Sequence, residues 1–276
     1  LFNKEMRMTN GFQIVVCGSL VPDPLQTLEP VTTPQGPGLK NETMLPSVLD
    51  PWSAHALFEA ANLAKQTAGS KVYLVSLGPK AKLQQLMMTV AQKVPFELVA
   101  IDGSASGFTD AHAVAAALAD AIAAIPGLDK SRLLVFGGCA SASRDASVTM
   151  QLVCERLGIR DLFAGVDEIK VQADGSFSVL ERIEGGQYLA STCKGAPAVL
   201  AWATGNLPEP PNNPQVGMAN MRGVMPALMK AKPAAVGVGG IAYEKTEIPA
   251  QKRATRIVKD VPADEIAREI VEWIRK

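Results

Sequence analysis

Leu133-Leu134-Val135-Phe136-Gly137-Gly138-Cys139-Ala140-Ser141-Ala142-Ser143-Arg144-Asp145-Ala146-Ser147-Val148-Thr149-Met150-Gln151-Leu152-Val153 reads as a buried strand, a loop of small polar residues and the opening of a helix. The apolar run is stopped by two glycines, and Ser, Ser, Asp, Ser and Thr then precede apolar residues that return at helical spacing. An α/β sheet presents backbone N–H groups to an anion in this way, and phosphate is the natural guest. The same pattern also describes an ordinary strand-to-helix turn, in which glycine supplies a positive φ and serine caps the helix. The stretch alone leaves both readings open.

The preceding segments repeat the rhythm of strand then helix. Phe12-Gln13-Ile14-Val15-Val16-Cys17-Gly18 is a β-branched run ending in a small residue, as expected of a first strand buried on both faces. Lys71-Val72-Tyr73-Leu74-Val75-Ser76-Leu77 is a second strand closed by Gly78-Pro79, and residues 97–101 are a third. Asp50-Pro51-Trp52-Ser53 opens a helix, with Asp50 as cap, proline in the first turn and Ala56, Leu57, Ala60, Leu63 and Ala64 as its apolar stripe. Residues 82–93 read as a helix, residues 109–125 as an alanine-rich helix capped by Thr109 or Asp110, and a further helix starts at Ala146. This alternation predicts an α/β fold with a doubly wound, mostly parallel sheet and right-handed crossovers. Its ligand belongs outside the carboxyl ends of the strands, near where strand order reverses. Cys17-Gly18-Ser19, Leu77-Gly78-Pro79 and residues 137–147 point to that edge. Residues 21–49, rich in Pro, Thr and Gly, are too irregular for a helix; a loop of this length is functional or holds a small hairpin.

Beyond Gly158 the pattern turns to β. Residues 165–171, 176–183 and 187–193 alternate around Asp174-Gly175 and Glu184-Gly185-Gly186, which are turn signals for a small meander. Ala198-Val199-Leu200-Ala201-Trp202-Ala203 is another buried strand. Residues 207–218 are too rich in Pro and Asn to be core, and Met218, Met221, Met225 and Met229 lie around them. These methionines suit an adaptable docking surface, or they seat a helix. After Pro233 the chain becomes Gly- and Ala-rich and then basic. It ends in a helix over residues 263–275 with Ile266, Ile270, Val271 and Ile274 on one face, to be packed on a partner or on its own domain.

Composition removes several classes of function. Lys and Arg together number 27, as do Asp and Glu, so the balanced charge leaves no electrostatic footprint for nucleic acid or an anionic membrane. No apolar run approaches the ~18 residues of a membrane-spanning helix, so no membrane insertion is expected. Cys17, Cys139, Cys154 and Cys193 form no CxxC pair and have only His55 and His112 as possible co-ligands, so no metal site is expected and buried free thiols are the default. Both histidines fall on predicted helices as surface or packing residues. The chain has no GxSxG elbow, Walker pattern, HExxH or GxGxxG after its first strand, and no carboxylate pair stands out; no catalytic residue is expected. The residues before about Met8 are taken as a remnant lying outside the fold.

With these residues in view, the chain resembles the β subunit of electron-transfer flavoproteins from Phe12 onward. Asp50-Pro51-Trp52-Ser53, followed by Glu59-Ala60, is similar to the family's Asn-Pro-aromatic segment and alanine-rich helix. Val75-Ser76-Leu77-Gly78-Pro79 is similar to its V-S-x-G-P, and Ala196-Pro197-Ala198-Val199 to its P-A-V strand. Val179-Leu180-Glu181-Arg182-Ile183-Glu184-Gly185-Gly186 resembles its R-E-x-x-G-G hairpin. Leu207-Pro208-Glu209-Pro210, then Met225-Pro226-Ala227-Leu228-Met229-Lys230-Ala231-Lys232, resembles L-N-E-P…L-P-x-I-M-K-A-K, the most specific match. Residues 137–149 align with the family's nucleotide loop, but lack its Gln and most of its acidic residues, and place Arg144 where Asp is usual. An arginine there reaches a phosphate bidentately, as in a longer dinucleotide, or fills the site itself.

The resemblance implies an adenine-nucleotide α-hydrolase-like sheet and an electron carrier rather than an enzyme. It implies a heterodimer whose α subunit holds most of the FAD, while this chain supplies one wall near the flavin and a site for AMP, or for a second FAD in bifurcating relatives. Electrons would come from client dehydrogenases and pass to a quinone oxidoreductase, in the cytoplasm of a bacterium or the mitochondrial matrix of a eukaryote. The implied cofactor-binding residues are Cys17, Asp50, Pro51, Trp52, Ser53 and Leu77, with Trp52 against the flavin or, alternatively, a helix-entry core residue. The loop adds Gly138, Cys139, Ala140, Ser141, Ser143, Arg144, Asp145, Ala146, Ser147, Val148 and Thr149. Met225, Pro226 and Leu228 match the partner-docking loop, and residues 211–220, additional to the family's pattern, imply a client other than the common acyl-CoA dehydrogenases. The expected division is an α/β nucleotide-binding domain over residues 8–232, with the docking loop at about 206–230, and an arm and helix over residues 233–276 packing on the partner subunit. A stand-alone adenine-nucleotide-binding module and a nucleotide-dependent transferase are the other classes weighed. Neither explains the hairpin and the Met-Lys-Ala-Lys segment together with the absent catalytic pairs.

Overall fold

A computed structural model describes residues 11–33, 36–104, 108–143, 145–237, 243, 245, 247–248, 250 and 255–275. The expectations for the residues before Met8 and for Arg144 lie outside the described residues. Strand β1 (Gln13–Pro22) opens the fold, and the proline-rich segment after it contains a hairpin of β2 (Pro30–Thr33) and β3 (Gly36–Leu39). β4 (Ser47–Leu49) returns antiparallel to the end of β1, placing Leu49 opposite Leu20. Then come α1 (Pro51–Gln66), β5 (Lys71–Gly78), α2 (Lys80–Val90), β6 (Glu97–Asp102), α3 (Ala111–Ala123), β7 (Leu133–Gly138) and α4 (Thr149–Arg156). β8 (Asp161–Val171), β9 (Phe177–Arg182) and β10 (Tyr188–Cys193) form the antiparallel meander. β11 (Ala198–Trp202), α5 (Pro214–Met229), β12 (Lys232–Pro233) and α6 (Ala263–Ile274) complete the described elements.

The strands lie in the order β10-β9-β8-β11-β7-β1-β5-β6-β12, with parallel pairing from β8 through β11, β7, β1, β5 and β6 to β12. The central strands are apolar on both faces because both faces are covered. Ile14 and Val16 of β1, Phe136 of β7 and Trp202 of β11 join Leu57, Leu83 and Leu228 from α1, α2 and α5 on one side. Val15, Val135 and Val199 join Leu118 of α3 and Val153 of α4 on the other. Phe136 and Trp202 stack in a tilted pair with centroids 5.3 Å apart, and both are fully buried. α1 starts where its sequence predicts: the Asp50 side chain accepts the Trp52 N–H at 3.1 Å, and Pro51 occupies the first turn, where no N–H is needed.

Two segments differ from expectation. The helix after β7 begins at Thr149 instead of Ala146, because Asp145 and Ser147 take left-handed φ values of 50° and 53° that no α-helix accepts. The Pro- and Asn-rich segment is not loop throughout. Asn213 accepts the N–H groups of Gln215 and Val216 at 3.0 and 3.3 Å and caps α5, with Pro214 in its first turn. The docking segment expected over about 206–230 is therefore helical from Pro214 to Met229, and residues 211–220 include the first turns of that helix. α6 is amphipathic, and none of its residues is buried: Ile266, Ile270, Val271 and Ile274 are all exposed.

Candidate functional site

The carboxyl ends of β1 and β7 part where the strand order reverses, since β5 and β6 lie on one side of β1 and β7, β11 and β8 on the other. A cleft of about 950 Å³, solvent-facing space included, opens there. Its floor is the end of β1, from Cys17 to Leu20, with Leu77 of β5; one wall is the loop after β7, and the opposite wall is Ser104, Thr109 and the side of α3 at Val114 and Leu118. The N-terminus of α1 brings Asp50 and Ser53 to the rim.

Asp50 organises the loop. One carboxylate oxygen caps α1, and the other accepts the Ser141 hydroxyl and the Ala142 N–H, each at 2.8 Å. The Asp50 N–H donates to the Ser19 carbonyl at 2.8 Å, so one residue ties β1, α1 and the loop together. Within the loop, Asp145 accepts the Ser141 N–H at 3.0 Å and the Ser147 hydroxyl at 3.4 Å, and the Ser141 and Ser143 hydroxyls lie 2.8 Å apart. Non-glycine residues in left-handed conformation cost roughly 1 kcal/mol or more each and persist where the surroundings over-determine them, often at ligand sites. Asp145 and Ser147, two such residues separated by only Ala146 in one loop, fit that description.

The loop also needs its glycine. A Cβ on Gly138 would sit 2.6 Å from the Cβ of Trp52 and 2.8 Å from the Ala140 carbonyl oxygen, both anchored groups. Gly138→Ala is expected to lower stability by about 1–3 kcal/mol through overpacking and to displace Trp52. Thermal unfolding together with Trp fluorescence checks this, and an unchanged midpoint and emission would contradict it.

The described lining offers hydroxyls, from Ser19, Ser53, Ser104, Thr109, Ser141 and Ser147 among others, and the carboxylates of Asp50 and Asp145, with no Lys, Arg or His. Hydroxyls and loop N–H groups suit a phosphate, and carboxylates suit the hydroxyl or amino donors of a nucleoside. Desolvation raises the Asp50 pKa, and hydrogen bonds from Ser141, Ala142, Trp52 and Ser53 oppose the shift. Burial pushes the Cys17 thiol to about 12 and raises Cys139 as well, so neither thiol at the cleft is poised as a nucleophile. His55 is half-buried on α1 edge-on to Phe58, its pKa lowered chiefly by desolvation, and His112 is exposed on α3; neither lines the cleft. No cluster of His, Cys, Asp and Glu among the described residues could hold a metal ion.

The cleft brings together Cys17, Asp50, Ser53, Leu77, Gly138, Cys139, Ala140, Ser141, Ser143, Asp145, Ala146, Ser147 and Thr149. Pro51, Trp52 and Val148 are not part of its lining: Pro51 borders a neighbouring apolar groove, Trp52 is half-buried against Gly138, and Val148 is exposed. Sequence reasoning missed Ser104, Thr109, Val114 and Leu118. A signal existed, because Ile101-Asp102-Gly103-Ser104-Ala105-Ser106-Gly107-Phe108-Thr109-Asp110 repeats the succession of strand, Gly/Ser loop and helix cap seen after β7. On α5, Met225 and Pro226 are exposed, whereas Leu228 is 3% exposed and packs in the core. Helical geometry turns Leu228 inward, and Met225 and Met229 are the exposed large apolar side chains of this part of α5.

The family model described as the electron transfer flavoprotein domain matches residues 41–238, more than half of the chain. Among curated proteins nothing matches.

Proposed function

The chain belongs to the electron transfer flavoprotein domain family, and from that premise we propose that it is the β-type subunit of a heterodimeric electron carrier. Family members are electron carriers rather than classical enzymes. In this reading the α-type partner holds most of the FAD, Trp52 at the N-terminus of α1 forms part of the wall facing the flavin, and the cleft between β1 and β7 holds an adenine nucleotide, AMP or part of a longer dinucleotide. FAD supplies the redox chemistry when bound; the protein's task is to bind it, orient it and exclude water. Among the described residues of the lining, the carboxylates are Asp50 and Asp145, and both are engaged in holding the loop.

The single observation that carries the reading is the loop held by Asp50, with left-handed Asp145 and Ser147, at the strand-order reversal of a chain in this family. The cleft is lined by hydroxyls, and a Cβ at Gly138 would intrude on the loop that bounds it. Two surfaces suit protein partners. The apolar face of α6 has no cover from the described part of its own chain, which suits an arm over residues 233–276 that packs on the partner subunit. Met225 and Met229, with Pro226, present a flexible apolar face on α5 for dehydrogenases that donate electrons, before a quinone oxidoreductase or another acceptor takes them.

Co-purification tests the reading. A tagged chain expressed with its genomic neighbours is expected to bring down a second, somewhat larger chain in a yellow complex whose flavin absorbance bleaches on reduction. A colourless chain that binds nucleotide alone would instead support a stand-alone binding module. No described helix is long and apolar enough to cross a membrane, which suits a carrier that works in the cytoplasm.

A further inference from the structure

The hairpin of β9 and β10 has no part in the nucleotide cleft. β10 is an edge strand of the ten-stranded sheet, with Tyr188 opposite Arg182 and Leu189 opposite Glu181. Cross-strand partners share a face, so Tyr188 lies beside Arg182 on one side of the hairpin and Leu189 beside Glu181 on the other. Every residue from Arg182 to Ala190 is exposed, the large apolar side chains of Ile183, Tyr188 and Leu189 included. An open strand edge invites pairing with other chains, and proteins blunt it with charge, proline or a bulge. β10, Tyr-Leu-Ala-Ser-Thr-Cys, has neither charge nor proline, and its register against β9 is continuous. Such an edge calls for a permanent cover and not a passing contact.

Within this exposed tip Arg182 is held rigidly. Asp167, 2% exposed on β8, accepts Nε at 2.9 Å and Nη2 at 3.0 Å, and the Thr204 hydroxyl accepts Nη2 at 3.0 Å. These bonds use Nε and Nη2 and leave Nη1 for a further acceptor. The side chain is nevertheless 47% exposed. An arginine fixed before binding loses little freedom on binding, and arginine beside aromatic side chains is the usual make-up of an interface hot spot.

We propose that Arg182 anchors a subunit interface, where it takes a carboxylate of the larger chain while apolar groups around that carboxylate cover Tyr188, Ile183 and Leu189. This assignment rests on the heterodimer reading and adds to it the chemistry that the larger chain must present. Charge complementarity selects the acceptor. Asp167 lies buried beneath the guanidinium, whose outer edge meets solvent; a carboxylate there completes a charge-assisted pair, whereas a lysine or arginine would be repelled.

The test uses the complex of the full chain with the larger chain that co-purifies with it. Amide exchange of residues 182–190 is expected to slow about tenfold or more on complex formation. Leu189→Asp, a change at an exposed side chain, is expected to weaken the complex about tenfold or more and to leave the unfolding midpoint of the chain alone unchanged. Arg182→Lys keeps the charge but not the fork. A carbodiimide, which joins an amine to a carboxylate as an amide, is expected to link position 182 of that variant to an Asp or Glu of the larger chain, as read by mass spectrometry. A complex in which residues 182–190 exchange as fast as in the free chain, or in which Leu189→Asp binds like wild type, would overturn the interface. A link from position 182 to Asp167 alone, or no link, would overturn the carboxylate anchor. Exchange and Leu189→Asp decide if Arg182→Lys does not fold. If no larger chain associates, the heterodimer reading fails and this interface with it.

Discussion

Asn220→Ala is expected to destabilise the fold by about 3–4 kcal/mol, although the residue is polar and lies on a helix with several exposed neighbours. Its side chain is 8% exposed and serves three backbone groups of the turn between α2 and β6. The amide nitrogen donates to the Ala91 and Val94 carbonyls at 2.7 and 2.8 Å, and the oxygen accepts the Phe96 N–H at 3.3 Å. Truncation leaves all three without that partner in a buried setting, and unmet buried groups cost more than the net value of the bonds themselves. At this chain length such a loss corresponds to roughly 10 °C in unfolding midpoint. A variant that melts within a degree or two of wild type would show that water or a neighbour replaces the amide. The same contacts bear on any deletion of residues 211–220: it removes this hub and the cap of α5, so lost electron transfer in such a deletion would report unfolding before it reported docking.

Asp50→Ala is expected to lower nucleotide retention in the cleft at least tenfold and to destabilise the fold by about 2–3 kcal/mol. The change removes the cap of α1 and both ties to the loop in one step. Asp50→Asn separates these roles. Asparagine keeps one acceptor and gains a donor, so it can cap α1 or receive the Ala142 N–H, but it cannot do both with the geometry of a carboxylate. Asp50→Asn should therefore recover most of the stability and little of the binding, as read by thermal unfolding and by nucleotide content after gel filtration. Full binding in Asp50→Ala would mean that the loop holds its shape without this anchor.

The parts of the fold most legible in sequence were those decided by burial on two faces. The apolar runs of β1, β5, β7 and β11 could hardly be anything except central parallel strands, and the Asp50-Pro51 pair marked the start of α1 because cap and proline act locally. The start of α4 is not legible in the sequence because Ala146 and Val148 have no local objection to helix. What excludes it is the left-handed backbone at Asp145 and Ser147, within a loop that Asp50 holds from a site far away in sequence. The spacing of Met218, Met221, Met225 and Met229 leaves a helix open as one of two readings, and composition obscures where α5 begins. Pro and Asn read as loop formers, yet Asn213 and Pro214 are also a cap and a first-turn residue, and Asn220 is buried only because the turn after α2 presents it with two carbonyls. In the cleft, residues on the strands and the loop after β7 could be located from the edge rule, whereas Ser104 and Thr109 enter through the turn after β6. Their place follows from strand order, which the linear pattern does not fix.

The most direct test is the adenine-nucleotide and flavin content of the purified complex between this chain and its larger partner, measured by extraction and chromatography for wild type and Asp50→Ala. The expected result is FAD in both complexes, with an adenine nucleotide beyond that of the FAD in the wild type and its loss in Asp50→Ala. Equal nucleotide content in the two complexes, or a wild-type complex with neither flavin nor nucleotide, would contradict the assignment of the cleft between β1 and β7.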